Sequence, residues 1–476
     1  MDARTPKPQA AGMPAGKLAI FATASLPVAA LVTPLAVYLP NYYATHLGLS
    51  LAAVGLAFGA VRLLDILVDP LIGIAINATN TSLGRFRPWM LGGVPVLAAA
   101  VFMIYMAEPH VSVAYMIGWL LVLYAGYSMV ALGHASWAAA LVPEYHQRSR
   151  VYGWMQAIGV IGTVTVLLLP AFWPKSAASG IHAMGWYTIA LAIFGVTLCV
   201  SFIGEPKRIE TAERITLKDY WVMLARPSLL RILASDLALA LGPAITGALY
   251  LFFFQQALGY TRQQTSLLLV LYIAAGLVGA PFWAQVARRI GKHQTVMLAC
   301  VLYGIAQAVV FLLPRANLAF MIPGMFFAGF IVSAFTFLIR AMVADIGDEV
   351  RLDIGKDRTA LLYGLITSTS KVGSTIAVPI TYSILAAFGF KNAEGAVNTG
   401  IALDALIACY VFVPVLTMFV GALALWGYKL DAVRHDEIRG ELHARDFAIE
   451  GAEGVIGSIA GTAPGLEAQP QLNPGE

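Results

Sequence analysis

The sequence predicts an all-α membrane protein whose twelve transmembrane helices form two six-helix bundles. Its 476 residues are 59% apolar and 12% charged, whereas soluble domains carry about 25% charged residues. A helix needs about 20 mostly apolar residues to cross a bilayer. Twelve such runs follow one another along the chain: 18–44, 51–76, 88–107, 112–142, 151–173, 183–204, 229–258, 265–287, 293–314, 317–345, 359–388 and 400–427.

A polar connection divides these runs into six and six. It covers 205–228 and contains a short amphipathic piece, Leu217–Leu224. We therefore expect a cytoplasmic N-terminal segment, a first bundle, a cytoplasmic loop, a second bundle and a cytoplasmic tail that is largely disordered. The predicted bounds of these five regions are 1–17, 18–204, 205–228, 229–427 and 428–476.

Lysine and arginine residues crowd alternate loops, and this pattern predicts the orientation of the chain. Cytoplasmic loops of membrane proteins carry an excess of these two residues. Here the excess follows the even-numbered spans, at Arg85, Arg87, Arg148, Arg150, Lys207, Arg208, Arg214, Arg288, Arg289, Lys292, Arg351, Lys356 and Arg358. We expect a multi-pass protein of the plasma (inner) membrane with both termini in the cytoplasm.

The composition argues against several other classes of protein. A net charge of +4 is spread over many loops, so no nucleic-acid partner is expected. The three cysteines, Cys199, Cys300 and Cys409, lie inside apolar spans, which argues against a disulfide framework and a metal site. No loop is long enough for a catalytic domain. We expect a monomer embedded in lipid that is not an enzyme.

Two aspartates, Asp65 and Asp69, stand in the middle of predicted span 2. A charged side chain at the centre of a bilayer costs about 2.5–3.5 kcal/mol on insertion scales. Residues four apart lie on one face of a helix, so both carboxylates point the same way. Such a pair predicts a site for a proton or a metal cation. The alternative is that the acids serve only helix packing through an ion pair.

Span 11 supplies a base, Lys371, and span 4 supplies a hydroxyl, Ser128. Lys371 can neutralise one carboxylate when no cation is bound, which leaves the other free to bind a proton or cation. The sequence therefore predicts a coupling site built from Asp65, Asp69, Ser128 and Lys371.

Other polar residues of the spans are candidates for a solute pocket or a gate. Tyr38 follows two of the three prolines (Pro27, Pro34 and Pro40) that predict a kinked or broken first span. His134 is a candidate relay or solute group, with packing as the alternative. The possible pocket comprises Tyr38, Tyr127, His134 and Trp137, and the predicted cytoplasmic gate comprises Arg62, Gly84, Arg85, Arg87, Arg148, Arg150 and Asp345. Asp236 and Arg340 are expected near the cytoplasmic ends of spans 7 and 10.

Six sequence motifs are distributed over the two halves of the chain: Tyr42–Ser50, Arg62–Gly73, Gly84–Trp89, Leu141–Arg150, Met342–Asp348 and Lys371–Ser374. As an ordered set they resemble the glycoside–pentoside–hexuronide:cation symporters. This resemblance implies the major facilitator fold. It also implies that Asp65, Asp69, Lys371 and Ser128, where the family has Thr, build the cation site.

The sequence departs from this family at residues that hold the cation and the sugar. Val68 stands where the family pattern has an Asn beside the second aspartate, so one oxygen ligand is lost and a proton is favoured over Na⁺. Ala29 and Ala131 occupy the places of the sugar-binding carboxylates, and Gln156 that of an Arg. Gln156 therefore joins the possible pocket, which is expected to be more apolar than a sugar site.

The resemblance implies cation-coupled symport of a sugar, glycoside or related organic solute by alternating access. The partners would be the solute and the coupling ion, H⁺ or Na⁺; Asp65 and Asp69 would be metal ligands only in the Na⁺ case, and no other cofactor is expected. Symport or flipping of an amphipathic, lysolipid-like solute is the first alternative. A transport-inactive membrane receptor is the second.

Overall fold

The computed structural model describes residues 13–141, 145–172, 177–205, 217–355, 358–392, 396–398, 400–442 and 444–445. Side chains at 77, 145–149, 177, 217–220, 336 and 360 fall outside this description. Helices account for nearly all of the described residues. Thr81 and Gly84, in the turn between two helices, form an isolated β-bridge.

The first span is broken, as its prolines predict. It consists of α1 (Ala15–Ala22), α2 (Ser25–Thr33), a π-helical segment (Pro34–Tyr38) and α3 (Leu39–Thr45), with a 45° bend between the first piece and the rest. Spans 2 to 6 are α4 (Leu51–Ala78), α5 (Arg87–Tyr105), α6 (Val113–Leu141), α7 (Tyr145–Phe172) and α8 (Ala177–Phe202). These elements form the N-terminal half.

The C-terminal half follows a short amphipathic helix, α9 (Leu217–Leu224). Span 7 is α10 (Pro227–Phe252) with a π-helical end (Phe253–Ala257), and the rest are α11 (Arg262–Ile290), α12 (Lys292–Leu312), α13 (Leu318–Ile354), α14 (Thr359–Ala387) and α15 (Ile401–Leu425). A further helix covers 432–442, where Ile438 and Leu442 pack into the core of this half. Parts of the predicted terminal segments and of the central loop lie outside the described residues, namely 1–12, 206–216 and 446–476.

Ten of these helices are long and apolar enough to cross a membrane, and the bent first span passes the same test as a pair. α14 has the length for a twelfth span with 29 residues, but it is less apolar. The reason is a polar run, Thr367–Lys371, which carries the predicted base. The lower apolar content of α14 is therefore linked to the residue that it contributes to the candidate site.

The two halves approach most closely where α4 meets α14. A Cβ atom on Gly59 would lie 2.7 Å from Pro379 Cγ, and one on Gly55 would lie 3.0 Å from Tyr382 Cβ. Any larger side chain would push the helices apart, since atoms in protein interiors are already close-packed. These glycines therefore let the backbones of the two halves come into contact.

One end of the bundle is closed across the halves. We call the end with the turns at Gly84 and Gly291 the basic end, and the opposite end the far end. Near the far end, Tyr38 donates a hydrogen bond of 3.0 Å to Ser266 Oγ, and the Asn392 amide donates to the Ala44 carbonyl. The described hydrogen bonds between the halves lie at mid-depth or towards the far end. A separate cavity of about 410 Å³ lies between the halves at the far end.

At the basic end, Glu205 fastens the turn between α4 and α5. Its carboxylate accepts hydrogen bonds from the backbone N–H groups of Arg85 at 2.6 Å, Phe86 at 2.8 Å and Arg87 at 2.7 Å. The first N–H groups of a helix have no partner within it, and a carboxylate is favoured there. Glu205 thereby joins the start of α5 to the end of α8 within one half.

Replacing Gly84 with alanine should destabilise the protein by about 1–3 kcal/mol. Gly84 has φ +105°, and an added Cβ would lie 2.3 Å from Glu205 Oε2. The thermal unfolding temperature in a fixed detergent measures the effect. Gly204→Ala is the matched control, because an added Cβ there meets no described atom within 4 Å. Equal unfolding temperatures for the two variants would contradict the role given to this turn.

Candidate coupling site between the two halves

The structure brings Asp65, Asp69, Ser128 and Lys371 into one cluster near the middle of the bundle. Ser128 Oγ lies 2.5 Å from Asp69 Oδ1 and 3.2 Å from Asp65 Oδ1. A hydroxyl carries one hydrogen, so it donates to one carboxylate at a time, and the shorter distance favours Asp69. The Asp65 side chain is 1% exposed, while those of Asp69 and Lys371 are 17% and 21% exposed.

Lys371 joins the halves through this cluster. Its ammonium lies 3.3 Å from Asp65 Oδ2 and forms an ion pair with Asp69 Oδ2. The ion pairs that the structure describes between the two halves are both made by Lys371. One cation thus bridges two acids of α4 from the facing helix α14.

The local sequence explains why these groups meet. Asp65 and Asp69 are one turn apart on α4, which continues without a break through Pro70, so both carboxylates face the same neighbours. The contact of Gly59 with Pro379 holds α14 close to α4. Lys371 then lies on the basic-end side of this contact and reaches both acids.

Arg62 belongs to the cluster rather than to a gate at the basic end. Its Nη1 lies 3.7 Å from Asp65 Oδ2, and its guanidinium lies over the Tyr124 ring at 4.9 Å from the ring centre. Because α4 runs from the far end to the basic end, residue 62 is farther from the basic turns than Asp65. The expected gate role of Arg62 is corrected accordingly. Two acids and two bases make the cluster formally neutral.

A third buried acid, Asp236, lies beside the residue that precedes Lys371. Ser370 donates a hydrogen bond of 2.6 Å to Asp236 Oδ2, and Asp236 is 9% exposed. The prediction that Asp236 sits near the end of its span is therefore wrong, because it lies at the depth of Ser370. The sequence signal is a charged residue well inside an apolar run.

The candidate pocket residues do not lie together. Tyr38 lines the far-end cavity, whereas Tyr127 adjoins Ser128 in α6 and Gln156 is exposed on α7. His134 is buried and hydrogen-bonded through Nε2 to the Phe21 carbonyl at 2.9 Å, which matches the packing alternative. Trp137 is fully buried against Phe21. The structure thus places His134 and Trp137 in packed core rather than at an opening.

The candidate gate residues make their described contacts within their own halves. Gly84, Arg85 and Arg87 contact Glu205, and both Asp345 oxygens lie 2.7 Å from Lys292 Nζ. Asp345 lies inside α13, which extends to Ile354, and it is level with Lys292 at the start of α12, at the basic end. Arg148 and Arg150 fall in the first turns of α7 rather than in a loop, and the Arg148 side chain is outside the described set.

The cluster offers oxygen donors to a small cation. The carboxylates of Asp65 and Asp69 and the hydroxyl of Ser128 lie next to one another, and the Lys371 ammonium is paired with both carboxylates. Hard cations take oxygen ligands, and a proton needs a single carboxylate oxygen. A cation that binds here must compete with Lys371 for the same atoms.

Removing the Lys371 charge should destabilise the resting protein. Lys371→Met leaves two carboxylates without their cross-half partner, and breaking a fully buried pair costs about 3–5 kcal/mol. The 21% exposure of Lys371 makes a smaller loss of about 1–3 kcal/mol reasonable. Thermal unfolding measures it, with Thr381→Val in the same helix as the control. Adding Asp69→Asn to Lys371→Met should recover part of the loss, and a further loss would contradict this account.

Comparison with known proteins places the chain among transporters. The family model described as MFS/sugar transport protein matches residues 20–432. An isoprimeverose transporter of Lactiplantibacillus pentosus is 26% identical over 435 residues, covering 87% of this chain and 88% of the relative. A glucuronide carrier protein homolog of Escherichia coli (strain K12) is 24% identical over 423 residues, covering 86% and 91%.

Solved structures agree in fold. The nucleoside transporter NupG superposes with a TM-score of 0.65 at 12% identity, covering 87% of this chain and 99% of that one. A bacterial homolog to the human lysosomal transporter Spinster, in an inward-facing and unoccupied conformation, gives a TM-score of 0.59 at 13% identity, covering 90% and 96%. At such identities the likeness shows the fold alone.

These comparisons confirm the expected resemblance and the major facilitator fold, and they identify the chain as a multi-pass membrane transporter rather than an enzyme. Since the family model spans most of its length, this protein belongs to the MFS/sugar transport protein family.

Proposed function

We propose that this protein couples a cation to the symport of a sugar, glycoside or related organic solute by alternating access. The observation that carries the proposal is the pairing of Lys371 in one half with Asp65 and Asp69 in the other. Charged groups within the membrane are costly and mark ion pathways. Here they also lie at the interface that must rearrange when a transporter of two bundles changes its open side.

The coupling would follow from competition for the two carboxylates. In the empty state Lys371 pairs with both carboxylates, and together with Arg62 it balances their charge. A proton or metal cation that binds Asp65 or Asp69 takes over this role, so the ion pairs between the halves weaken and Lys371 is released. The energetic link between cation occupancy and the position of α14 is then electrostatic. One charge moved across 100 mV supplies about 2.3 kcal/mol, enough for an accumulation ratio of roughly 40-fold.

The conformation described here would open towards the cytoplasm, because the described hydrogen bonds between the halves lie at mid-depth or towards the opposite end. The basic end carries the Lys and Arg residues of the loops, and the positive-inside rule assigns that end to the cytoplasm. Both termini would also lie there, in the plasma (inner) membrane. Since the cluster is complete within one chain, a monomer would suffice for coupling.

A proton is favoured over Na⁺ as the coupling ion. Ser128 and the two aspartates supply the oxygen atoms of the cluster, and Val68, which lies between the acids, adds none. A proton binds one carboxylate oxygen, whereas Na⁺ requires several oxygen ligands at once. The donor set is therefore sufficient for a proton without further ligands.

The relatives support a sugar-like solute. One feature of the helix packing indicates that this chain would bind its solute through other residues than the family pattern uses. Their names include isoprimeverose, glucuronide, lactose and raffinose carriers. Ala29 packs against α7, where a Cβ on Gly159 would lie 3.2 Å from Ala29 Cβ. A carboxylate at position 29 would meet α7, so this chain would hold its solute through other groups. An amphipathic, lysolipid-like solute is the second candidate for this reason.

Neutralising either aspartate should abolish concentrative uptake. In proteoliposomes, Asp65→Asn and Asp69→Asn should lower the accumulation ratio from tens to about one, because the cation no longer competes with Lys371 for a charged site. Asp404→Asn, an acid in the first turn of α15, is the matched control. Unchanged accumulation in either variant would remove that aspartate from the coupling site.

A panel of solutes tests both the ion and the substrate class. Uptake of isoprimeverose, glucuronide, lactose and a fluorescent lysophospholipid should be compared with Na⁺ present, with Na⁺ removed, and with a protonophore. We expect sugar uptake that survives Na⁺ removal and collapses with the protonophore. Strict Na⁺ dependence would refute proton coupling. Cation-linked uptake of the lysophospholipid alone would favour the amphipathic solute, and a lack of cation movement with every solute would favour a receptor.

A further inference from the structure

When a cation occupies Asp65 and Asp69, the Lys371 ammonium loses its partners in the other half. An unpaired ammonium inside a membrane protein costs several kcal/mol. The release step of the proposed function therefore requires a second anion within reach of Lys371. That anion must belong to the same half, so that it stays near Lys371 while the halves move apart.

Asp236 meets these requirements. It lies on α10 in the C-terminal half, is 9% exposed, and accepts the hydrogen bond from Ser370. Ser370 and Lys371 are consecutive residues whose side chains leave the helix about 100° apart. Lysine carries its charge on a flexible four-carbon stem, so rotation about that stem can move the ammonium from the face of α4 towards α10.

The packing of α10 on α14 fixes this acid relative to Lys371. A Cβ on Gly373 would lie 2.6 Å from the Leu237 carbonyl oxygen and 3.1 Å from Ala240 Cβ. The two backbones are thus in contact one residue beyond Asp236 and two residues beyond Lys371. A rocking motion between the halves does not alter this contact, since both helices belong to the same half.

Asp236 is an additional negative charge beside the cluster, in which Asp65 and Asp69 are already balanced by Arg62 and Lys371. Its described hydrogen-bond partner, Ser370, is a neutral side chain. The described ion pairs include none between Asp236 and Arg340 of α13. Asp236 is therefore available to a basic side chain of a neighbouring helix.

We infer that Asp236 is the counter-charge that receives the Lys371 ammonium when a cation occupies Asp65 and Asp69. Asp236 would be a positioning residue that binds neither the cation nor the solute. It lowers the free energy of the state in which Lys371 has left the aspartates, and so strengthens cation binding. The inference rests on the coupling site proposed above and adds the second position of its base.

A double-mutant cycle tests this inference without any solute or added ion. Asp65→Asn with Asp69→Asn mimics the neutralised, cation-occupied site and should send Lys371 to Asp236. In that background, Asp236→Asn should lower the thermal unfolding temperature by at least about 3 °C more than it does in the wild type. Lys371→Gln should abolish this difference, because the two residues then no longer interact.

A purely structural role for Asp236 predicts another pattern. Asparagine can still accept the Ser370 hydrogen bond, so a structural Asp236 would give equal and small shifts in both backgrounds, and that result would overturn the inference. Ser370→Ala removes the bond and keeps the charge, and it should not reproduce the background dependence of Asp236→Asn. If the protein with both Asn substitutions does not fold, Asp69→Asn alone serves as the background. Asp236→Asn should again lower the unfolding temperature more in this background than in the wild type.

The outcome is separable from the proposed function. Loss of accumulation in the single aspartate variants tests the coupling site, whereas the unfolding cycle reports only on the interaction of Lys371 with Asp236. Intact coupling with no cycle interaction would refute the inference alone.

Discussion

The ion pairs of Lys371 with Asp65 and Asp69 constrain the rest of the structure. Charged groups at this depth are tolerable only when they meet, so α4 and α14 must approach closely. The glycines at 55 and 59 make that approach possible. The contact of α14 with α4 follows from placing the Lys371 ammonium between two carboxylates of the opposite half, and Arg62 supplies the second positive charge that makes the cluster neutral.

Much of this arrangement can be predicted from residue types alone. Long apolar runs mark the spans because a bilayer requires them, and Asp65, Asp69 and Lys371 stand out because charge is rare there. Ser128 is less distinctive, since hydroxyl residues are common in spans, and the family resemblance strengthens its assignment. Asp236 is also a charged residue in an apolar run. Its sequence position nevertheless suggests that it lies near the end of its span, because the ends of spans are the least certain part of a hydropathy pattern.

Other features depend on contacts between distant segments and leave no local signal. Glu205 caps α5 from a position 118–120 residues away in the chain, and nothing in the turn at Gly84 names its partner. The depth of Arg62 follows from the direction of α4. The basic turn comes after the C-terminal end of this helix, so Arg62 lies farther from the basic end than Asp65 does. His134 and Trp137 are typical binding residues by type, yet neighbours from α1 decide that they are core.

The closed far end has a consequence for the energetics of the whole cell. The contact of Gly59 and Gly55 with Pro379 and Tyr382 leaves no room for water between α4 and α14 at these residues. Protons move along files of water molecules, so this contact would block one route for protons between the far end and the cluster. A protein of this kind present in many copies would otherwise short-circuit the membrane potential on which other transporters depend.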